Sequence, residues 1–120
     1  MFLIKPDAFH RFIVGHILEF IEGNFSIIDM EYFQFSIELV DQFYEDHQEK
    51  DFYSRLQATM ISGSSLAIMV KETWTQEHKD LADLIREKIG TGFNLAENGI
   101  HCSDSFDSDI RESDLIFGRH

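Results

Sequence analysis

Residues 25–35 read FSIIDMEYFQF. Ile28, Met30 and Tyr32 alternate with Asp29 and Glu31, and a period of two marks a strand with one face turned inward. That alternation predicts Ile28, Met30 and Tyr32 on the buried side. Upstream, Val14, Ile17, Leu18 and Ile21 recur at helical spacing between Phe12 and Gly23, where Gly23-Asn24 closes the element. Downstream, Ser36 stands where it can N-cap a helix carrying Leu39, Val40 and Phe43, and a second helical stretch around Leu56 and Met60 stops at Ser62-Gly63.

Farther out the pattern repeats. Residues 2–5 read as a short buried strand ending at Pro6, and SLAIMV, residues 65–70, reads as a central strand. Thr73 and Gln76 have capping-box spacing ahead of a long helix with Leu81, Leu84, Ile85 and Ile89, which Gly90 can terminate. A last strand leads to His101. Strand, helix, strand, helices, strand, helix and strand describe an α+β sandwich, a four-stranded antiparallel sheet covered by helices in the ferredoxin-like arrangement. With one proline and no repeat or linker, residues 1–120 read as a single domain long enough to bury a core unaided.

Composition narrows the function. Asp and Glu number 22 against 10 Lys and Arg, for a net charge of -12, so nucleic acid is excluded as the main ligand, although a local pocket can still be positive. The single cysteine, Cys102, has no internal disulfide partner, and no Cys/His spacing of the zinc type occurs. A reducing setting follows. No run approaches the roughly 20 apolar residues that span a bilayer. The expectation is a cytoplasmic protein with no membrane contact.

The chemistry concentrates in NGIHCSDS, residues 98–105. A Ser-His-Asp triad is the first reading, but triads are assembled from sequence-distant residues, because neighbours on one strand rarely converge on a common point. The other reading makes His101 the nucleophile. A neutral imidazole, the dominant form above a free histidine's pKa of about 6.5, keeps a lone pair at neutral pH.

Three collinear motifs carry a resemblance. KPDAFHR (5–11) resembles the Lys-Pro-Asp signature and following arginine of the nucleoside diphosphate kinase family; FYEDHQEKDFYSRL (43–56) resembles its Tyr-x-x-His segment; NGIHCSDSFDS (98–108) resembles its Asn-x-x-His-Gly-Ser-Asp-Ser signature. The resemblance implies phosphoryl transfer from a nucleoside triphosphate to a nucleoside diphosphate, in two half-reactions through a phosphohistidine at His101. It further implies that Glu112 hydrogen-bonds the other ring nitrogen, and that Lys5 and Tyr44 reach the transferring phosphoryl. Asn98 and Lys5 would bind the sugar hydroxyl, Phe52 would lie against the base with Leu56 beside it, and Ser103 would support the histidine loop. Mg²⁺ would arrive with the nucleotide phosphates rather than on protein ligands. The family's habit of pairing through N-terminal elements implies a homo-oligomer, at least a dimer.

The pattern also fails in places. Between Val70 and Asn98 the chain is shorter than the family, lacking the Thr-Asn-Pro turn and one of two phosphate-binding arginines. Arg86 is the remaining candidate and aligns with either arginine; Lys88 or Arg55 would be partial substitutes. Cys102 stands at the usual glycine after the histidine, where a positive φ or a close backbone approach would make a side chain costly. Tyr44, Phe52 and Leu56 are also residues a core takes, and the run Asp104, Asp107, Asp109, Glu112 and Asp114 reads as a solvated face rather than a metal site. Two readings stand beside the kinase: a nucleotide-binding or structural member with weak or lost transfer, and a phosphocarrier using His101 without free nucleotides.

Overall fold

The computed structural model describes residues 1–89 and 98–118, apart from the side chain of residue 47. Strand β1 (Phe2–Ile4) leads into a short helix α1 (Pro6–His10) and then α2 (Val14–Glu22). Strand β2 (Ile27–Gln34) is followed by α3 (Ile37–Phe43), a 3-10 turn over Glu45–His47 and α4 (Tyr53–Ile61). Strand β3 (Ser64–Val70), α5 (Gln76–Ile89), β4 (Ile100–Cys102) and α6 (Phe106–Phe117) complete the described chain.

The four strands form one sheet in the order β2-β3-β1-β4. Every pairing is antiparallel, with Leu3 opposite Ala67 on one side and His101 on the other. This is the ferredoxin-like sandwich that the element order predicts. Strand alternation splits the sheet into two cores. Leu3 and Ala67 pack with Phe43, Tyr44, Leu56 and Met60 beneath α3, α4 and α6. Phe2, Ile4, Ile68, Ile100 and Cys102 pack with Ile17, Ile21 and Ile85 beneath α1, α2 and α5. Ile17, Ile21 and Ile68 are fully buried, and burial of this kind contributes about 1.5–3 kcal/mol per side chain.

Local chemistry explains most boundaries. Ser36 Oγ accepts from the Leu39 N–H at 3.1 Å and starts α3 as its sequence predicts. Gly23 ends α2 and Ser62 ends α4. The predicted cap of α5 is corrected. The helix begins at Gln76, and the reach-back comes from His78, whose Nδ1 accepts from the Thr75 N–H at 3.2 Å. His78 is 1% exposed, and its ring packs 4.2 Å from Phe25 and 5.8 Å from Phe2. Burial there penalises the charged ring and lowers its pKa. Gly90, expected to end α5, lies outside the described residues.

A second correction concerns β2. Ile28, Met30 and Tyr32 are not buried but 58%, 50% and 65% exposed. Met30 and Tyr32 stand opposite Ile68 and Leu66 in register, yet β2 is an edge strand, and although the Phe9 ring of α1 packs 5.6 Å from Tyr32 the face stays exposed. Periodicity identified the strand, while the helices' coverage decided which face met water. Leu84, grouped with the inner face of α5, is likewise 40% exposed. Helices α1 and α6 were not anticipated. For α6 the signal was present: Ser105 Oγ accepts from the Ser108 N–H at 3.0 Å, with Asp107 and Asp109 in the first turn.

Helix α1 closes with paired C-terminal bonds. The Ile13 N–H reaches the Ala8 carbonyl and the Phe12 N–H the Phe9 carbonyl, both at 3.2 Å, which is a Schellman closure. Phe12 occupies its left-handed position with φ 57, and its side chain is 91% exposed. The left-handed region costs a residue with a Cβ about 1–2 kcal/mol, and here no burial offsets it. Phe12→Gly is expected to stabilise the fold by about 0.5–1 kcal/mol after the entropy glycine adds to the unfolded chain. Urea titration measures it; a stability loss would mean the Phe12 ring contributes more than its exposure allows.

Candidate active site

Strand β4 is three residues long, and its alternation decides the site. Ile100 and Cys102 turn into the α2/α5 core, so His101 between them must point to the opposite face. There it meets the residues that end α3. The rings of Phe43 and Tyr44 stand edge-on to the imidazole at centroid distances of 5.0 and 5.4 Å. His101 Nε2 lies 2.7 Å from Glu112 Oε1, projected from α6.

Glu112 is 4% exposed, and a buried carboxylate needs partners. Ser103 Oγ donates to the same Oε1 at 2.8 Å, and Arg111 Nη2 stands 3.6 Å from Oε2. Burial alone would raise the Glu112 pKa, but the charge and hydrogen bond of His101, the Ser103 hydroxyl and Arg111 together hold it below the ordinary range. An ionised acceptor at Nε2 keeps the imidazole proton on Nε2. The Nδ1 lone pair is therefore the nucleophilic one, and no hydrogen bond occupies Nδ1 among the described residues.

Two loops flank the strand. Gly99 takes φ 81, a conformation open to glycine, and its carbonyl accepts from the Lys5 N–H at 2.9 Å. That turn sets Asn98 beside β1, where Lys5 Nζ donates to Asn98 Oδ1 at 3.1 Å. Lys5 and Asn98 are 2% and 8% exposed. On the other side, Trp74 Nε1 donates to the Ser103 carbonyl at 2.6 Å and ties the segment after His101 to the end of β3.

These groups border a cleft of about 480 Å³ lined by Lys5, Tyr44, Phe52, Leu56, Arg86, Asn98 and His101. Every side chain named as a contact in the sequence thus lines one space, with Glu112 and Ser103 behind the histidine. Tyr44 is 5% exposed and donates to Met60 Sδ at 3.9 Å; burial, then the Glu112 charge, push its pKa up, so it acts as a neutral hydroxyl. Phe52 and Leu56 both pack on the core and border the cleft, which reconciles their two readings.

The strain expected at Cys102 does not arise, while Cys102 does border the cleft. Among the described residues only Phe12 combines a side chain with positive φ. The Cys102 thiol packs in the far core and its pKa is pushed up to about 12 by burial, leaving it an inert thiol at neutral pH.

Sequence reasoning missed several members. Lys79 and Asp83 line the cleft from α5 together with Arg86, at one-face helical spacing, and Lys50 joins them from the connection before α4. Lys88 and Arg55, considered as substitutes, are not among the lining residues. Four of the ten basic residues, Lys5, Lys50, Lys79 and Arg86, therefore surround one cleft of a chain with net charge -12. Arg111 was also missed. It donates to the Gln42 and Phe43 carbonyls at 2.9 and 3.2 Å and so joins α6 to the end of α3. The 3,4 spacing that puts Lys79 and Asp83 beside Arg86 was readable, but nothing local distinguished that polar face from any solvated one.

The model of the family described as "Nucleoside diphosphate kinase" matches residues 1–120. A nucleoside diphosphate kinase of Methanococcus maripaludis is 30% identical, over 97% of this chain and 95% of its own. One from Glaesserella parasuis is 34% identical over 96% of this chain and 91% of its own. Among solved structures, the Aquifex aeolicus nucleoside diphosphate kinase superposes with a TM-score of 0.78 at 27% identity, covering 95% of this chain and 90% of that one. A halophilic nucleoside diphosphate kinase from Halobacterium salinarum, solved in complex with CDP, shares the fold with a TM-score of 0.80 at 22% identity, covering 95% and 83%.

Because the native Glu112 pKa is depressed, its stabilising contribution is complete above the unfolded glutamate's value of about 4.5 and is lost as pH falls through the native one. Glu112→Gln is expected to destabilise the fold by about 1–3 kcal/mol at pH 7. The gap between variant and parent should narrow below pH about 4.5. Denaturant titrations at several pH values measure it; a gap constant with pH would show that the carboxylate charge is not what matters.

Proposed function

The chain belongs to the nucleoside diphosphate kinase family, and we propose that it performs the family's phosphoryl exchange through His101 Nδ1. The observation that carries the assignment of roles is the 2.7 Å contact of Nε2 with a buried, ionised Glu112. In the first half-reaction the Nδ1 lone pair attacks the γ-phosphorus of a nucleoside triphosphate. The N–P bond forms as the bond to the β-phosphate oxygen breaks, and the nucleoside diphosphate leaves with that electron pair. In the second half-reaction a terminal oxygen of another nucleoside diphosphate attacks the same phosphorus and frees the imidazole. One site serves donor and acceptor in turn, so ping-pong kinetics follow.

Glu112 stabilises the positive charge that develops on the ring. Lys5 and Arg86 neutralise charge on the transferring phosphoryl oxygens and the neutral Tyr44 hydroxyl donates a hydrogen bond to them, where fixed donors in a partly dry cleft are strong. Lys5 and the Asn98 amide group reach the sugar hydroxyl, and the Phe52 ring, with Leu56 beside it, takes the base by stacking, which discriminates weakly among bases. Mg²⁺, when bound, screens the phosphate oxygens. Lys5 and Arg86 on the cleft wall would take phosphate oxygens that such an ion, delivered on the nucleotide, leaves open.

The reading extends to assembly. Residues 1–120 work as one domain, supported by two cores sharing one sheet. The outward Ile28, Met30 and Tyr32 on edge strand β2 support self-association into at least a dimer through that strand. No helix among the described residues is long and apolar enough to cross a membrane, and we take the cytoplasm, where nucleotides are exchanged, as the site of action.

Two measurements test this. Incubation with γ-labelled ATP and Mg²⁺ should give acid-labile label on the protein that leaves when a second nucleoside diphosphate is added, and His101→Ala should abolish both steps. Exchange by His101→Ala within tenfold of the parent rejects His101 as nucleophile, and label that stays on the parent in the presence of acceptors makes it a carrier instead. Light scattering at micromolar concentration should give a dimer or larger, reduced to monomer by Met30→Glu with Tyr32→Glu; a monomeric parent removes the assembly claim.

A further inference from the structure

Arg86 meets the cleft already engaged. Its Nη1 donates to Asp83 Oδ1 at 2.9 Å, and its Nη2 donates to the Ile100 carbonyl at 2.9 Å. Ile100 immediately precedes His101, so the second bond anchors the guanidinium at the strand that carries the reacting ring. The first bond is different in kind. Asp83 lies three residues earlier on the same helix, with its side chain 61% exposed against 25% for Arg86, and it lines the same cleft.

A guanidinium binds phosphate best through a pair of N–H groups on one edge. Here one group of that kind is held by a backbone oxygen and another by a carboxylate. The buried Nε has no hydrogen-bond partner among the described residues, so it offers no exposed alternative. Nη1 and Nη2 each keep a second N–H, so a phosphate oxygen can reach Arg86, but it either binds beside the Asp83 carboxylate or displaces it from Nη1. An exposed ion pair three residues apart on a helix is weak, so a doubly charged phosphate can displace it. The displaced carboxylate then stays beside the phosphates, and like charges repel in proportion to ligand charge. Asp104, the other carboxylate of the cleft, is instead occupied by the Ser108 hydroxyl at 2.8 Å.

We propose that Asp83 is an internal competitor for the nucleotide phosphates, lowering affinity through Arg86 in proportion to the negative charge of the ligand. The proposal rests on the nucleotide reading above and adds a residue that sets its affinity. It acts in the same direction as the arm arginine that the sequence lacks, toward weaker phosphate binding.

The test is a calorimetric titration of the full chain with adenosine, AMP and ADP, each with and without Mg²⁺. The parent, Asp83→Asn, Arg86→Ala and the double variant are compared. Asp83→Asn should bind ADP roughly three- to tenfold tighter than the parent, AMP by less, and adenosine unchanged. Raising salt to about 1 M should shrink the gain, and the gain should vanish in the Arg86→Ala background. Because the expected effect is tighter binding, misfolding cannot imitate it. ADP binding by Asp83→Asn that is unchanged or weaker overturns the proposal, and weakening confined to Mg²⁺ would make Asp83 a partner of the metal-bound nucleotide instead. An equal gain without Arg86 overturns the competition. A parent that binds adenosine nucleotides not at all overturns the nucleotide reading itself.

Discussion

Glu112 is a carboxylate in the interior, and its need for compensation organises the elements around it. An ionised group with 4% exposure persists only where donors converge on it. Those donors come from β4 through His101, from the loop after it through Ser103, and from the neighbouring position on α6 through Arg111. Arg111 in turn grips the last carbonyls of α3, the helix whose end presents Phe43 and Tyr44 to the imidazole. The three elements meet at one carboxylate, and a shift in any of them would leave charge unpaired. The same arrangement leaves one ring nitrogen protonated and the other ready to react, so what stabilises the junction also sets the chemistry.

Electrostatics work on two length scales. A net charge of -12 repels extended polyanions over the whole surface. At physiological salt the field fades within about 8 Å, and inside the cleft Lys5, Lys50, Lys79 and Arg86 dominate. A small phosphate ligand that reaches the cleft therefore meets positive charge, whereas a long nucleic acid would lie along the acidic exterior. The Asp83 carboxylate moderates even that local field, which suits a site that must release one nucleotide before accepting another.

Much of this was legible in the chain. The period-two run at 25–35, the helical spacing of Val14, Ile17, Leu18 and Ile21, the Ser36 cap and the terminating Ser62-Gly63 reflect local steric and hydrogen-bond rules, which need no partner to operate. The motif NGIHCSDS singled out His101 by its available lone pair and its resemblance to the family signature, whereas its facing away from Ile100 and Cys102 came from strand β4. Helix α6 could have been read from Ser105 and its acidic first turn, but the polar composition resembled a solvated loop.

What local rules could not decide was which side of each element would be covered. Ile28, Met30 and Tyr32 have the pattern of a buried face, yet β2 became an edge strand and all three stayed exposed. Lys79, Asp83 and Arg86 share a helical face readable from spacing, but only the packing of α5 against β4 turned that face into a cleft wall. Sequence by itself determined the four strands, the helices α2 to α5, their order and the candidate imidazole, because those depend on neighbours along the chain. Tertiary structure alone decided the tautomer, the company Arg86 keeps and the exposed flank of β2, because each depends on distances between residues that only folding brings together.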